Sequence, residues 1–129
     1  MDKSIFHARM VSIINVRTGK IIGSQVRVAQ SFWQRFKGLM GTRSLETGHG
    51  MLFPRTNSVH MFFMRYPLCV VYLNKDFVVL RCVVLKPWRI GPIIQGTYWV
   101  LELPESMAEH ITFMDHLSVV DRTSINDSL

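Results

Sequence analysis

The sequence predicts a mainly β protein: a compact antiparallel β-sandwich or barrel-like domain with one clear amphipathic helix and a short second helix. Three observations carry that reading. Strand-length apolar segments recur between Gly, Pro and Asn punctuation. Two of them flank Asn74-Lys75-Asp76-Phe77 as a hairpin. One segment alone, Ser31 to Met40, repeats its apolar residues at helical spacing.

In chain order, Val11 to Val16 alternates as a strand, Thr18-Gly19-Lys20 turns, and Ile21 to Val28 returns, so the chain opens on a hairpin. From Ser31, residues Phe32, Trp33, Phe36, Leu39 and Met40 share one helical face. Ser31 with Gln34 makes a capping box and Gly41 follows as a stop. Gly38 lies on the opposite side, which points to a close backbone contact or an early helix end. Gly48-His49-Gly50 turns into Met51 to Phe53. Ser58 to Arg65 is apolar on both faces and reads as a central strand, ended by Pro67.

Leu68 to Leu85 reads as a hairpin centred between Lys75 and Asp76. That register sets Leu73 opposite Val78, Val71 opposite Leu80 and Cys69 opposite Cys82, with one wholly apolar face. Lys86 to Gly96, with two prolines, is a loop. Thr97 to Leu103 alternates as a strand, Tyr98, Val100 and Glu102 opposing Trp99, Leu101 and Leu103. Pro104 starts a short helix through about Ile111, Leu117 to Val120 forms a last strand, and Thr123 to Leu129 is a loose tail.

Composition bounds the function. The 129 residues are 48% hydrophobic and 19% charged, a globular balance expected to form a single domain over 1–129. No apolar run is long enough to cross a membrane. The N-terminal stretch has no continuous apolar segment, so the expectation is a soluble, cytoplasmic protein without a secretory signal. Charge is unevenly spread: residues 1–95 carry 14 of the 15 Lys and Arg with three acids, and residues 96–129 carry six acids with Arg122. Packing of the acidic end against the basic part accounts for this pattern. Basic residues spread singly argue against a nucleic-acid partner. Two cysteines suit neither a disulfide scaffold nor a zinc site. They are expected to be free, buried thiols. No metal, cofactor or catalytic motif is present at its usual spacing, so none is assigned.

The segments Trp33-Gln34-Arg35-Phe36-Lys37-Gly38-Leu39-Met40-Gly41 and Gly50-Met51-Leu52 resemble the opening signature of the domain of unknown function 192 family. His60 to Leu68 resembles its central block, and Lys86-Pro87-Trp88-Arg89 and Val100-Leu101-Glu102-Leu103-Pro104 two later ones. The resemblance spans about 25–121. It implies a compact, mainly β domain without a settled biochemical role, whose relatives often carry export signals. Three positions depart from the family pattern: Cys69 and His49 replace acids, and Met114 replaces a Gly before the retained Asp115.

Arg35, His60, Arg65, Trp88 and Arg89 are the polar or amphipathic members of the matched blocks and form the candidate ligand site. Arginine suits an anionic group, Trp stacks, and His exchanges a proton or hydrogen bond. The structural alternative has Arg35 bonding loop carbonyls, Arg65 pairing with Glu102 and Trp88 covering a barrel end. The leading functional expectation is a non-enzymatic binding or accessory domain for an anionic small molecule, a glycan or a protein segment. An enzyme with a His60-centred site is the alternative, and electrostatic nucleic-acid binding comes third.

Overall fold

The computed structural model describes residues 9–31 and 37–122. Among these residues the strands are β1 (Arg9–Asn15), β2 (Ile21–Val28), β3 (His49–Pro54), β4 (Leu68–Leu73), β5 (Val79–Leu85), β6 (Trp99–Pro104) and β7 (Leu117–Asp121). They form one sheet in the order β5-β4-β6-β3-β2-β1-β7, curled into a half-barrel. A 3₁₀ helix, Glu105–His110, follows Pro104 and buries Met107.

The pairing is antiparallel except between β2 and β3, which run parallel from Gln25 opposite His49 to Val28 opposite Leu52. A parallel pair requires a long crossover, and residues 29–48 supply it. Positions 32–36 of the expected helix lie outside the described residues. At its far end the expectation is corrected: Gly38 adopts φ +49 and residues 38–41 form turns, so the helical segment stops before Met40.

The sheet is buried on both faces at its centre. In β4 all six residues are buried, Cys69, Val71 and Leu73 on one side and Leu68, Val70 and Tyr72 on the other. β6 behaves the same way, with Leu101 and Leu103 on the first side and Val100 on the second. The first core is completed by β1, β2 and the 3₁₀ helix through Ile13, Ile22 and Met107. The second is covered by loops, through Val59, Met61 and Met64.

The segment 58–65 is therefore not a central strand. It is a loop with one isolated bridge, His60 to Ile90. The inward–outward alternation of Val59, His60, Met61 and Phe62 satisfies the sequence pattern, but Phe63 takes φ +65 and breaks it. Backbone bonds tie the loop to the 86–91 loop instead: Met61 N–H to Arg89 O at 2.7 Å and Gly91 N–H to Val59 O at 2.8 Å.

The β4–β5 hairpin forms as expected, with a different register. Leu73 opposes Val79, Val71 opposes Cys82 and Cys69 opposes Val84, with an irregularity next to Leu73. The cause is Asn74, whose side-chain oxygen accepts the Asp76 and Val78 N–H groups at 2.9 and 3.0 Å. That turn is longer than a two-residue one, and Phe77 enters the left-handed region at φ +61. Beyond the irregularity Val79, rather than Leu80, joins the first core. Cys69 and Cys82 become diagonal neighbours on one face, both free, with Sγ atoms 3.5 Å apart. Cys69 is buried and Cys82 only partly so. The hydrogen bond to Cys82, together with burial, pushes the Cys69 thiol up, while the same bond lowers Cys82.

The acidic end does pack on the basic start. Arg9 donates to Asp121 at 2.9 Å. Asp115 accepts from Arg17, from Asn15 Nδ2 at 2.8 Å and from the Thr112 N–H at 2.8 Å. Arg17 and these hydrogen bonds hold the Asp115 carboxyl well below the usual carboxylate range. Beside it, Met114 adopts φ +73 and is 62% exposed.

Two expectations follow. Native thiol labelling should modify Cys82 first and Cys69 only through unfolding, reaching two thiols in denaturant; equal native rates, or no free thiol after denaturation, would refute this arrangement. Met114→Gly should raise stability by ~0.5–1 kcal/mol in urea unfolding, because relief of left-handed strain outweighs the added chain entropy. A loss would mean that the Met114 side chain makes a contact worth more than the strain.

Candidate functional site

β6 runs between β3 and β4, with Glu102 opposite Met51 on one side and Val70 on the other. Strand alternation points Val100 and Glu102 to the same face. The sequence thus sets a carboxyl among Val100, Phe53 and Met64 at the middle of the sheet, and Glu102 is 7% exposed. A buried carboxyl ordinarily has a cation or several donors. Among the described residues the Glu102 carboxyl has neither hydrogen bond nor ion pair. Burial pushes its carboxyl up to about 8, so at neutral pH it holds its proton.

The carboxyl faces a cleft of about 50 Å³, open to solvent, between the sheet and residues 37–40. Its polar lining is Lys37, Thr56, Ser58, His60 and Glu102, and Phe53, Val59 and Met64 form apolar walls. Gly38 makes the close crossing possible. A Cβ there would sit 3.3 Å from Phe53 Cζ and 3.8 Å from Glu102 Oε1, in a left-handed conformation that side chains resist. A second, wider cleft of about 490 Å³ opens on the other side of residues 37–39, with Gln25, Arg27 and His49 in its lining. The 37–39 segment therefore forms a wall common to both.

The sequence-derived candidates divide. His60 lines the Glu102 cleft, half-buried, its Nδ1 accepting the Phe62 N–H at 3.2 Å and its ring stacked on Phe62 at 5.0 Å. Arg65 is exposed and makes no ion pair with Glu102, so that expected pairing is absent. Trp88 is 59% exposed and Arg89 is exposed; both sit on the loop zipped to residues 59–61, outside the cleft lining. Arg35 lies outside the described residues. Glu102, Lys37 and Gly38 were missed as site residues. The signal in the sequence is Glu102 itself, a single acid on an otherwise apolar strand, which the expected pairing with Arg65 accounts for without a cleft.

The comparisons agree with the fold. A family profile described as "Uncharacterized ACR" matches residues 13–118. A UPF0127 protein of Pyrococcus furiosus is 34% identical over 103 residues, covering 78% of this chain and 89% of that protein. Another from Thermococcus sibiricus is 30% identical over 103 residues, covering 77% and 67%. A solved protein of unknown function from Novosphingobium aromaticivorans superposes with a TM-score of 0.69 at 22% identity, covering 84% of this chain and 83% of its own. A candidate transcription regulator from Sinorhizobium meliloti gives 0.65 at 21%, covering 88% and 94%. At such identities these two structures show the likeness of fold alone.

The raised carboxyl has a consequence for stability. Unfolded, Glu102 ionises near its ordinary 4.5; folded, it ionises near 8. Between those values the folded state binds the extra proton, so stability falls as pH rises, and the full cost is present above pH 8. Glu102→Gln should therefore match the wild type at pH 4 and exceed it by ~2–4 kcal/mol at pH 9. Equal wild-type and variant stability at both pH values would show that Glu102 titrates normally.

Proposed function

The chain belongs to the DUF192 family of uncharacterised proteins, and from that premise we propose that it is a binding domain for a small molecule bearing an anionic oxygen. The observation that carries this reading is Glu102: a buried carboxyl without a protein partner among the described residues, facing an open cleft. Protonated, it is an O–H donor. An anionic carboxylate or phosphate oxygen is a natural acceptor, and Lys37 at the same cleft adds a positive charge. The hydroxyls of Thr56 and Ser58 and the imidazole of His60 offer further polar partners. The formal net charge of +6 favours the approach of anions. The cleft, about 50 Å³ between apolar and polar walls, has room for an anionic group rather than for a whole metabolite, and so suits a subsite that fixes one end of a small molecule.

A second reading rests on the same carboxyl. A glutamic acid that ionises near pH 8 is suited to donate a proton in catalysis, with His60 beside the same cleft. The two readings separate at Glu102→Gln. The amide keeps a hydrogen-bond donor, so binding survives, but it cannot transfer a proton.

Calorimetric titration with citrate, inorganic phosphate and a nucleoside monophosphate between pH 6 and 9 tests the proposal. At least one should bind, with affinity falling about tenfold per pH unit above pH 8 as Glu102 ionises. Glu102→Gln should bind without that pH dependence, and Glu102→Ala should bind at least tenfold more weakly at pH 7. Full affinity in Glu102→Ala, or a preference for cationic ligands, would overturn the reading.

A further inference from the structure

The residues of the sequence-derived site that fall outside the cleft form a surface of their own. Phe62, Phe63, Trp88 and Ile90 are 37%, 60%, 59% and 70% exposed. Their rings pack on one another, Phe63 to Trp88 at 4.9 Å and Phe62 to Trp88 at 6.2 Å between centroids. Apolar side chains this large are ordinarily turned inward, and a contiguous exposed group of them marks an interaction site.

The backbone keeps them outward at a cost. Phe63 and Trp88 lie at φ +65 and +68, a region that bulky side chains avoid. Both loops are fixed by main-chain bonds, Trp88 N–H to Met61 O and Met61 N–H to Arg89 O, each 2.7 Å, and by the bridge from His60 to Ile90. A strained conformation held by a bonded frame, with its aromatic rings in solvent, adds nothing to the core. It is accounted for if the rings have a surface to enter.

The same two loops are basic. Arg65 follows Phe63 by two residues, Lys86 precedes Trp88 by two, Arg89 adjoins it, and all three are exposed. Residues 47–75 and 77–101 contain no Asp or Glu. A second copy of this chain suits the surface poorly, because a two-fold contact would set Arg65, Lys86 and Arg89 against themselves. Trp and Phe at loop tips, ringed by Arg and Lys, match the chemistry of an anionic bilayer interface: rings at the headgroup–acyl boundary and cations on the lipid phosphates.

We propose that the Phe62–Phe63–Trp88–Ile90 platform docks the protein peripherally on anionic phospholipid membranes, independently of the Glu102 cleft. The test is co-sedimentation of the full chain with vesicles of phosphatidylcholine and phosphatidylglycerol at 3:1, against phosphatidylcholine alone. The protein should partition at least tenfold more strongly onto the anionic vesicles, and raising the salt from 0.1 to 0.5 M should weaken this binding. Trp88→Asn, which tolerates the left-handed backbone, should reduce it at least tenfold with an unchanged melting temperature. Arg65→Glu combined with Arg89→Glu is the second, independent variant and should do the same. Phosphatidylglycerol-independent partitioning, wild-type binding by Trp88→Asn, or self-association that Trp88→Asn abolishes would overturn the proposal.

Discussion

One carboxyl set into the middle of an apolar sheet constrains much of this molecule. Glu102 occupies the interior strand β6, flanked by β3 and β4, on a face of the sheet shared with the apolar side chains of Met51, Phe53, Val70 and Val100. Burying it ionised would cost several kcal/mol. Among the described residues no cation pairs with it, and burial raises its pKa to about 8, so the carboxyl keeps its proton at neutral pH. The strand interior leaves it no room to turn away, and the remaining outlet is the cleft beneath residues 37–40. Gly38 belongs to the same arrangement, because a side chain there would press on Phe53 and approach the carboxyl. A stability deficit at neutral and higher pH is thus built in at the position where a donor is presented to solvent. Such a deficit is what a binding function would explain and a purely structural core would not.

Positive backbone angles tell a related story at the surface. Phe63, Phe77, Trp88 and Met114 all occupy the left-handed region without being glycine. Phe77 has a local reason: the Asn74 turn requires it, and its ring stacks on Trp99 at 4.8 Å. Met114 lies next to Asp115, whose bonds to Asn15, Arg17 and Thr112 hold the end of β1 to the loop before β7. Among the described residues Phe63 and Trp88 pack on each other, 4.9 Å between ring centroids, and not on a core residue. Their left-handed backbone keeps the two rings at the surface, the feature that the proposed membrane docking uses.

The legible parts of the fold were those that local pattern determines. The opening hairpin, the β4–β5 hairpin, β6, the short helix after Pro104 and β7 all follow from alternation and turn residues. What escaped depended on tertiary context. Residues 58–65 have the alternation of a strand, but two residues of left-handed or bridged backbone pair them with a loop instead. The hairpin register slipped because Asn74 bonds two backbone N–H groups and lengthens the turn. The parallel β2–β3 pair joins segments twenty residues apart, and no local signal encodes such a crossover. At the candidate site, His60 and the matched blocks around Lys37 and Glu102 do converge on one cleft. Arg65 and Trp88 looked like its other members because charge and aromaticity say what a residue can bind, not which way its backbone will turn it.

The central claim is that Glu102 is a neutral donor at physiological pH. Carbon-13 labelling of the glutamate carboxyls, with Glu102→Gln to assign the resonance, measures that state in the folded protein. A titration of Glu102 centred near pH 8, well separated from the exposed glutamates, is the predicted result. A midpoint near 4.5 would contradict the account, showing the carboxyl ionised and solvated throughout and the cleft without its defining group.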